Sequence, residues 1–287
     1  MRGHGFEVEG QPARKAYSTG RSGSYIIAAL RTIRLVPLLI IFAILLVSWW
    51  LFFPGDDGTL VEIQRRGRLR VGLDASFPPF EAINADSQIE GLDVDIAQVI
   101  AADLGVELEL VNIGFDGLYD ALLARRVDMI ISGLPYDPRW TKDVAYTVNY
   151  FNGGQVLLTP AGVSEIYSAE DLAGHTVAIE WGSQADMEGR RLAREIANIS
   201  LVRQSSAAGA VAAVLNNEAN AAIVDAVTGL SVAPKEVRIV TYLTDEWYAA
   251  AVHIESQALL EAVNQSLTRL RESGEMQKLQ KRWLQGQ

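Results

Sequence analysis

The chain has 287 residues, with 25 Lys and Arg against 35 Asp and Glu, a formal net charge of −10 and a pI near 4.9. That acidity excludes a dedicated nucleic-acid binder, whose affinity rests on clustered cations, and a hydrophobic content of 49% excludes wholesale disorder. Cysteine is absent, which excludes disulfides, thiolate metal sites, cysteine nucleophiles and a lipid-modified cysteine anchor; His4, His175 and His253 do not lie at metal-site spacing, so neither metal nor cofactor is expected.

The N-terminal residues 1–35 carry six cations and two anions, a net of +4 against −14 for the remainder. Rich in Gly, Ser and Arg at its start, this stretch reads as a disordered basic tail. Residues 36–53 carry no charge. As a helix they would span about 27 Å, close to a hydrocarbon core of ~30 Å. Arg31 and Arg34 flank the near end, and Trp49 and Trp50 stand near the far end, where indoles favour the interface. A single transmembrane anchor is expected, with residues 1–35 cytoplasmic and everything after Pro54 outside. A cleaved signal peptide is the competing reading, but the run ends in bulky Trp-Trp-Leu-Phe-Phe-Pro rather than a small-residue cleavage site.

A turn-rich linker over 54–59 leads into alternating strand and helix patterns. Strands are expected at Leu69–Leu73, Leu108–Ile113 and Met129–Ile131, with helices at Asp93–Leu104 and Asp116–Arg125 between them. The order repeats with strands at Thr176–Ile179, Ser200–Arg203 and Ala221–Val224 and helices at Ala185–Ile196 and Ala207–Leu215. Two rounds of βαβαβ imply two α/β lobes with mainly parallel sheets. Two helices, Gln257–Leu270 and Met276–Trp283, close the chain. Ligands of such sheets bind beyond the strands' carboxyl ends, and Ser132-Gly133 and Gly182-Ser183 follow strands there.

Four stretches carry a resemblance when taken in order and at their spacing: Leu69–Phe80 (LRVGLDASFPPF), Gly91–Ile96 (GLDVDI), Asp128–Leu134 (DMIISGL) and Asn220–Asp225 (NAAIVD). From Gly67 onward the chain resembles the family 3 extracellular solute-binding proteins, the amino-acid-binding subunits of ABC importers. The resemblance implies the type II periplasmic-binding-protein fold. Lobe 1 would comprise 60–154 plus 251–287 and lobe 2 would comprise 155–250. A hinge would close both on a ligand, and the closed form would dock on a permease.

The resemblance also assigns ligand-binding residues. Phe77 and Phe115 fall where rings cover the two sides of the ligand side chain. Ser132 and Gly133 fall at the polar strand end whose hydroxyl and backbone touch the ligand. Ser183 and Gln184 fall at the pair that presents N–H groups to the ligand carboxylate. Asp225 matches the carboxylate that accepts the ligand ammonium, although an aspartate after a buried strand is also a common helix N-cap. Asp74 is a further candidate, with a structural turn as its alternative. Asn220 stands in place of the usual Asp, at a structural position.

The chain departs from the family at the carboxylate clamp. Pro135 replaces a Ser or Thr. Trp140 stands in the slot of the clamping arginine, with Arg139 one residue early. Arg139 reaches the cleft if the loop 135–138 shifts by one; otherwise it is a solvated cation, and Trp140 and Trp181 become extra aromatic walls. Glu180 is the one unexpected carboxylate at the cleft, and no hydrolase, zinc-protease or phosphate-loop motif occurs. The expectation is a binding protein and not an enzyme, membrane-anchored and feeding an ABC importer. The alternatives are a sensory receptor signalling through a partner and a dehydratase-like enzyme on the same fold.

Overall fold

A computed structural model describes residues 40–45, 57–163, 165–232 and 234–285. The chain divides into two units, Met1–Gly55 and Asp56–Gln287. Of the first unit, residues 40–45 are helical, and most of the expected span 36–53 lies outside the described residues. Among the described residues no helix is long and apolar enough to cross a membrane.

In the second unit a helix not expected from the sequence comes first, α1 (Thr59–Arg66), beginning at the last residue of the expected linker. Strand β1 (Arg68–Leu73) follows, buried at Leu69 and then continuously from Val71 to Leu73. Burial on both faces suits the central strand of a parallel sheet covered by helices on either side. Helix α2 (Leu92–Asp103) leads to β2 (Glu107–Asn112), and a 3-10 turn with α3 (Leu118–Leu123) leads to β3 (Met129–Ile130). After a loop come β4 (Val144–Tyr146) and then β5 (Gln155–Pro160), already in the second sheet. That sheet continues through β6 (Thr176–Glu180), α4 (Gln184–Glu195), β7 (Ser200–Gln204), α5 (Ala207–Leu215), β8 (Ala221–Asp225), α6 (Ala226–Ser231) and β9 (Val237–Tyr242). The chain returns to the first sheet as β10 (Ala251–His253), and α7 (Gln257–Glu272) and α8 (Glu275–Leu284) pack behind it.

The two sheets share one plan. The first has the order β2-β1-β3-β10-β4 and the second β7-β6-β8-β5-β9. In each, the first three strands are parallel, the fourth (β10 or β5) runs against them, and the edge strand, antiparallel to the fourth, runs with the first three. Four of the five strands in each sheet therefore run one way, as the expectation of mainly parallel sheets had it. The reversed strands β5 and β10 are the ones that the chain enters directly from a passage between the sheets, without a helical crossover.

Among the described residues two segments cross from one sheet to the other. They pair with each other as a short antiparallel ladder, Phe151 with Tyr248 and Asn152 with Trp247. Phe80 joins them, edge-to-face with Phe151 at 5.1 Å and with Tyr248 at 5.5 Å. Aromatic edge-to-face packing of this kind adds roughly 0.5–1.5 kcal/mol per pair beyond area burial. The crossing is thus narrow in backbone and well packed in side chains, as a bending point between two rigid sheets requires.

Two structural positions in the recognised stretches are explained locally. Asp128 accepts from Arg66 at 2.5 Å and from Arg70 at 2.8 Å, joining α1 and β1 to β3. Asn220 Oδ1 accepts from the Thr176 N–H at 2.9 Å, which ties the start of β8 to β6 and agrees with the structural role expected for it.

Candidate binding cleft

The carboxyl ends of β1, β2 and β3 bring Asp74, Phe115 and Ser132-Gly133 together. The Asp74 carboxylate is a bracket between loops. Its Oδ1 accepts from Ser76 Oγ at 2.7 Å and its Oδ2 from the Phe115 N–H at 2.8 Å, while its own N–H donates to Ser132 Oγ at 3.0 Å. It therefore fixes the loop that carries Phe77 and the turn that carries Phe115. Both rings remain 42% and 43% exposed, unusual for phenylalanines on a folded domain. Phe77 stacks on Phe80 at 5.3 Å with 9° between planes. Its opposite side meets Gly133, where a Cβ would lie 2.7 Å from the Phe77 ring; with φ +48 this position favours glycine twice over.

Ser132 and Gly133 are placed beneath this surface rather than on it. Ser132 is 1% exposed, and its hydroxyl donates to Glu81 Oε1 at 2.8 Å. The Gly133 N–H donates to Asp93 Oδ2 at 2.6 Å, and the Tyr150 hydroxyl donates to the same oxygen at 2.8 Å. The expected contribution of the Ser132 hydroxyl and the Gly133 N–H to a ligand is thus corrected, because both are consumed by buried carboxyl groups. Burial pushes Glu81 well above the usual carboxylate range, and the adjacent Asp93 charge adds to it. Burial raises Asp93 as well, against the opposing bonds from Gly133 and Tyr150. Glu81 Oε2 and Asp93 Oδ1 are buried with no other donor. One retained proton, held on Glu81 and donated to Asp93, satisfies both. The sequence gives no sign of this network, since each carboxylate finds its partners 40 to 57 positions away.

The loop after β3 pairs Arg139 within its own turn, beside a cavity that Arg139 lines with Phe115. Its guanidinium folds back on Asp137, with Nη2 to Oδ2 at 2.6 Å, and its side chain is 85% exposed. Residues 134–136 are bonded along the returning chain, Ala249 N–H to Leu134 O and Tyr136 N–H to Trp247 O, both at 3.0 Å. That pairing fixes the register of residues 134–136 on the returning chain. Trp140 stacks on Tyr119 at 4.4 Å, packs against the lobe's core on that side, and lines a cavity with Phe115 and Arg139.

The second lobe contributes the ends of β6 and β8. Ser183 caps α4; its Oγ accepts from the Asp186 N–H at 3.3 Å and donates to Glu180 O at 2.8 Å. Its hydroxyl is consumed, but the N–H groups of Gln184 and Ala185, at the first two helical positions, have no acceptor within the helix. Gln184 is exposed. Trp181, at the end of β6, is an exposed ring. Asp225 is the N-cap of α6, accepting from the Thr228 N–H at 2.8 Å through Oδ1 and from Thr228 Oγ1 at 2.7 Å through Oδ2. Each oxygen keeps a second lone pair, so capping and ligand binding are compatible on this residue.

Tyr248 joins the two halves. In the crossing ladder it packs beside Gly133 of the first lobe and Gly153 at the entry to the second. Its hydroxyl is raised by burial and by the charges of Glu246 and Asp225. Glu246, which the sequence reading did not single out, is half-buried at the same corner; burial, then the Asp225 charge, raise its carboxyl. Asp57, His253 and Glu255 bring ligand atoms within 4.8 Å of one another. The Arg125 guanidinium already donates to all three, so that cluster holds a cationic side chain in place of a metal.

Residues 69–286 match the bacterial extracellular solute-binding proteins, family 3. The chain belongs to this family. The arginine-binding extracellular protein ArtP of Bacillus subtilis is 25% identical over 225 residues, which cover 77% of this chain and 87% of that protein. The L-cystine-binding protein TcyJ of Escherichia coli is 25% identical over 234 residues, 79% of this chain and 86% of that one. Among solved structures, an ancestral cationic amino acid solute-binding protein is 29% identical with a TM-score of 0.63, covering 79% of this chain and 100% of that one. An ancestral cyclohexadienyl dehydratase is 25% identical with a TM-score of 0.68, covering 81% and 98%. The two-lobe solute-binding fold is therefore shared by proteins that bind amino acids and by at least one named for catalysis.

Proposed function

We propose that this chain captures an amino acid between its lobes outside the membrane and delivers it to an ABC importer. The observation that carries the reading is the position of Tyr248, with the Gly133 end of β3 on one side and the Asp225 end of β8 close enough on the other to shift its hydroxyl. Bending at the two crossing segments brings these ends onto one small molecule. The ligand ammonium would take the outward lone pairs of Asp225. The Gln184 and Ala185 N–H groups, at the positive end of α4, would receive its carboxylate. Phe77 and Phe115 would cover its side chain from either side, giving a large contact with few rotors to immobilise.

The named ligands of the relatives, arginine and cystine, support an amino acid. The basic tail over 1–35 and the charge-free run 36–53 support a membrane tether, which would hold the receptor at high local concentration beside its permease. The test is thermal unfolding of the full chain against a panel of amino acids. A ligand at a hundredfold excess over its Kd stabilises the native state by about 2.7 kcal/mol. A selective shift, lost in Asp225→Asn, is the expected result; asparagine keeps the helix cap and removes the charge. No shift with any amino acid rejects the reading, and turnover of the bound compound replaces it with an enzyme.

A further inference from the structure

The cleft contains a second acidic group that the capture geometry above does not use. The backbone of Glu246 is fixed: its N–H donates to Asn152 Oδ1 at 3.0 Å and its carbonyl accepts from the Gly153 N–H at 2.8 Å. Side chains alternate along an extended segment. Tyr248 turns toward Gly133 and Gly153, at the cleft. Trp247 turns the other way, into the groove behind the crossing lined by Tyr242 and Arg271. Glu246 therefore shares the face of Tyr248. It faces Asp225 across the entering strand, Asp225 pairing with Gln155 on one edge and Glu246 with Gly153 on the other, near enough for the Asp225 charge to act on its carboxyl.

The carboxylate of Glu246 has no hydrogen-bond or ion-pair partner among the described residues. Comparable acids elsewhere do. Asp95 accepts from Trp283, Asp128 from Arg66 and Arg70, Asp137 from Arg139, and Asp186 from Arg190. Of the described half-buried carboxylates, only Glu180 and Glu246 lack one, and both stand at the second lobe's side of the cleft. Partial burial of an uncompensated carboxylate is costly. The cation that the family pattern would bring nearby, Arg139, is already paired with Asp137.

We infer that Glu246 selects the ligand's charge: with Asp225 occupied by one ammonium, Glu246 takes a second cationic group, so the cleft prefers a cationic amino acid to a neutral one of the same shape. This rests on the amino-acid reading above. A guanidinium or ammonium on the ligand side chain supplies the partner that the protein withholds. A neutral side chain closes the lobes over an unpaired carboxylate and is rejected for that reason.

L-Arginine and L-citrulline, alike in shape and differing in side-chain charge, test this by titration calorimetry on the full chain. The wild-type protein is expected to bind arginine at least about tenfold more tightly. Glu246→Gln is expected to bring arginine to within about threefold of citrulline, by weakening arginine and strengthening citrulline, and Glu246→Asp to keep the preference. Circular dichroism establishes that each variant is folded. An unchanged ratio in Glu246→Gln, or an equal loss for both ligands, overturns the role of Glu246 and leaves amino-acid capture standing. Failure of the wild-type protein to bind any amino acid rejects the capture reading itself, and this inference with it.

Discussion

The Ser132 hydroxyl, at the end of β3, donates to Glu81 Oε1 at 2.8 Å, and neither residue is open to solvent. Through this bond the floor of the cleft rests on a carboxyl pair, Glu81 and Asp93, that keeps one proton because burial disfavours two charges. The native state binds that proton more tightly than the unfolded chain does. Between the unfolded and folded pKa values the unfolded chain carries fewer protons, so stability falls as pH rises. One such proton contributes a slope approaching 1.4 kcal/mol per pH unit, roughly. Glu81→Gln keeps the acceptor for Ser132 and supplies a permanent N–H donor to Asp93. We expect its unfolding free energy, from urea titrations at about pH 6, 7 and 8, to decline less steeply than that of the wild-type protein. Parallel declines would show that the pair carries no shared proton.

Strands and helices built on local periodicity were legible in the sequence. Helix α2 was marked by Ile96, Val99 and Ile100, and α5 by its alanine run, and both lie within a residue of their expected bounds. What escaped were β4, β5, β9 and β10, short or buried strands whose pairing is decided by distant partners. The cleft divides in the same way. Phe77, Phe115 and Asp225 were assigned from the family resemblance, which places them after strands. Ser132 and Gly133 were found too, but their partners Glu81 and Asp93 were not, since a buried carboxyl network leaves no periodic trace. Glu246 was overlooked because its meaning depends on a chain crossing between two sheets.

Gly133 holds a left-handed conformation with the Phe77 ring against its Cα, so Gly133→Ala forces the ring off Phe80 or the backbone out of place. A loss of about 2 kcal/mol is expected from strain and displaced packing. Removing the ring first, with Phe77→Ala, should make the same glycine substitution cheaper. A double-mutant cycle on denaturation free energies reads this directly. Strict additivity of the two losses would mean that the ring and the glycine do not constrain one another.

The passage into the second lobe is equally tight. A Cβ on Gly154 would lie 2.0 Å from the Thr244 carbonyl oxygen, and backbone there cannot swing aside as a side chain could. Gly154→Ala is expected to cost about 2 kcal/mol or more and to weaken ligand binding, because the two crossing segments must separate. Gly162→Ala is the matched control, with nothing within 4 Å of its Cβ and no positive φ. It should leave Tm and affinity unchanged. Equal behaviour of the two variants would show that the crossing tolerates separation.

Arg139 offers the sharpest contrast between sequence position and structural role. It sits one residue before the slot of the clamping arginine, yet its guanidinium chelates Asp137, the cap of its own turn. The ion pair is exposed, and such pairs contribute little to stability. Its carboxylate partner is held below the usual range by these same bonds, so the pair persists through neutral pH. Arg139→Ala should therefore change amino-acid affinity by less than about threefold, measured by calorimetry. Asp225→Asn, tested beside it, should lose binding. If Arg139→Ala instead loses more than about tenfold, the Asp137 pair must break on closure and the guanidinium must enter the cleft.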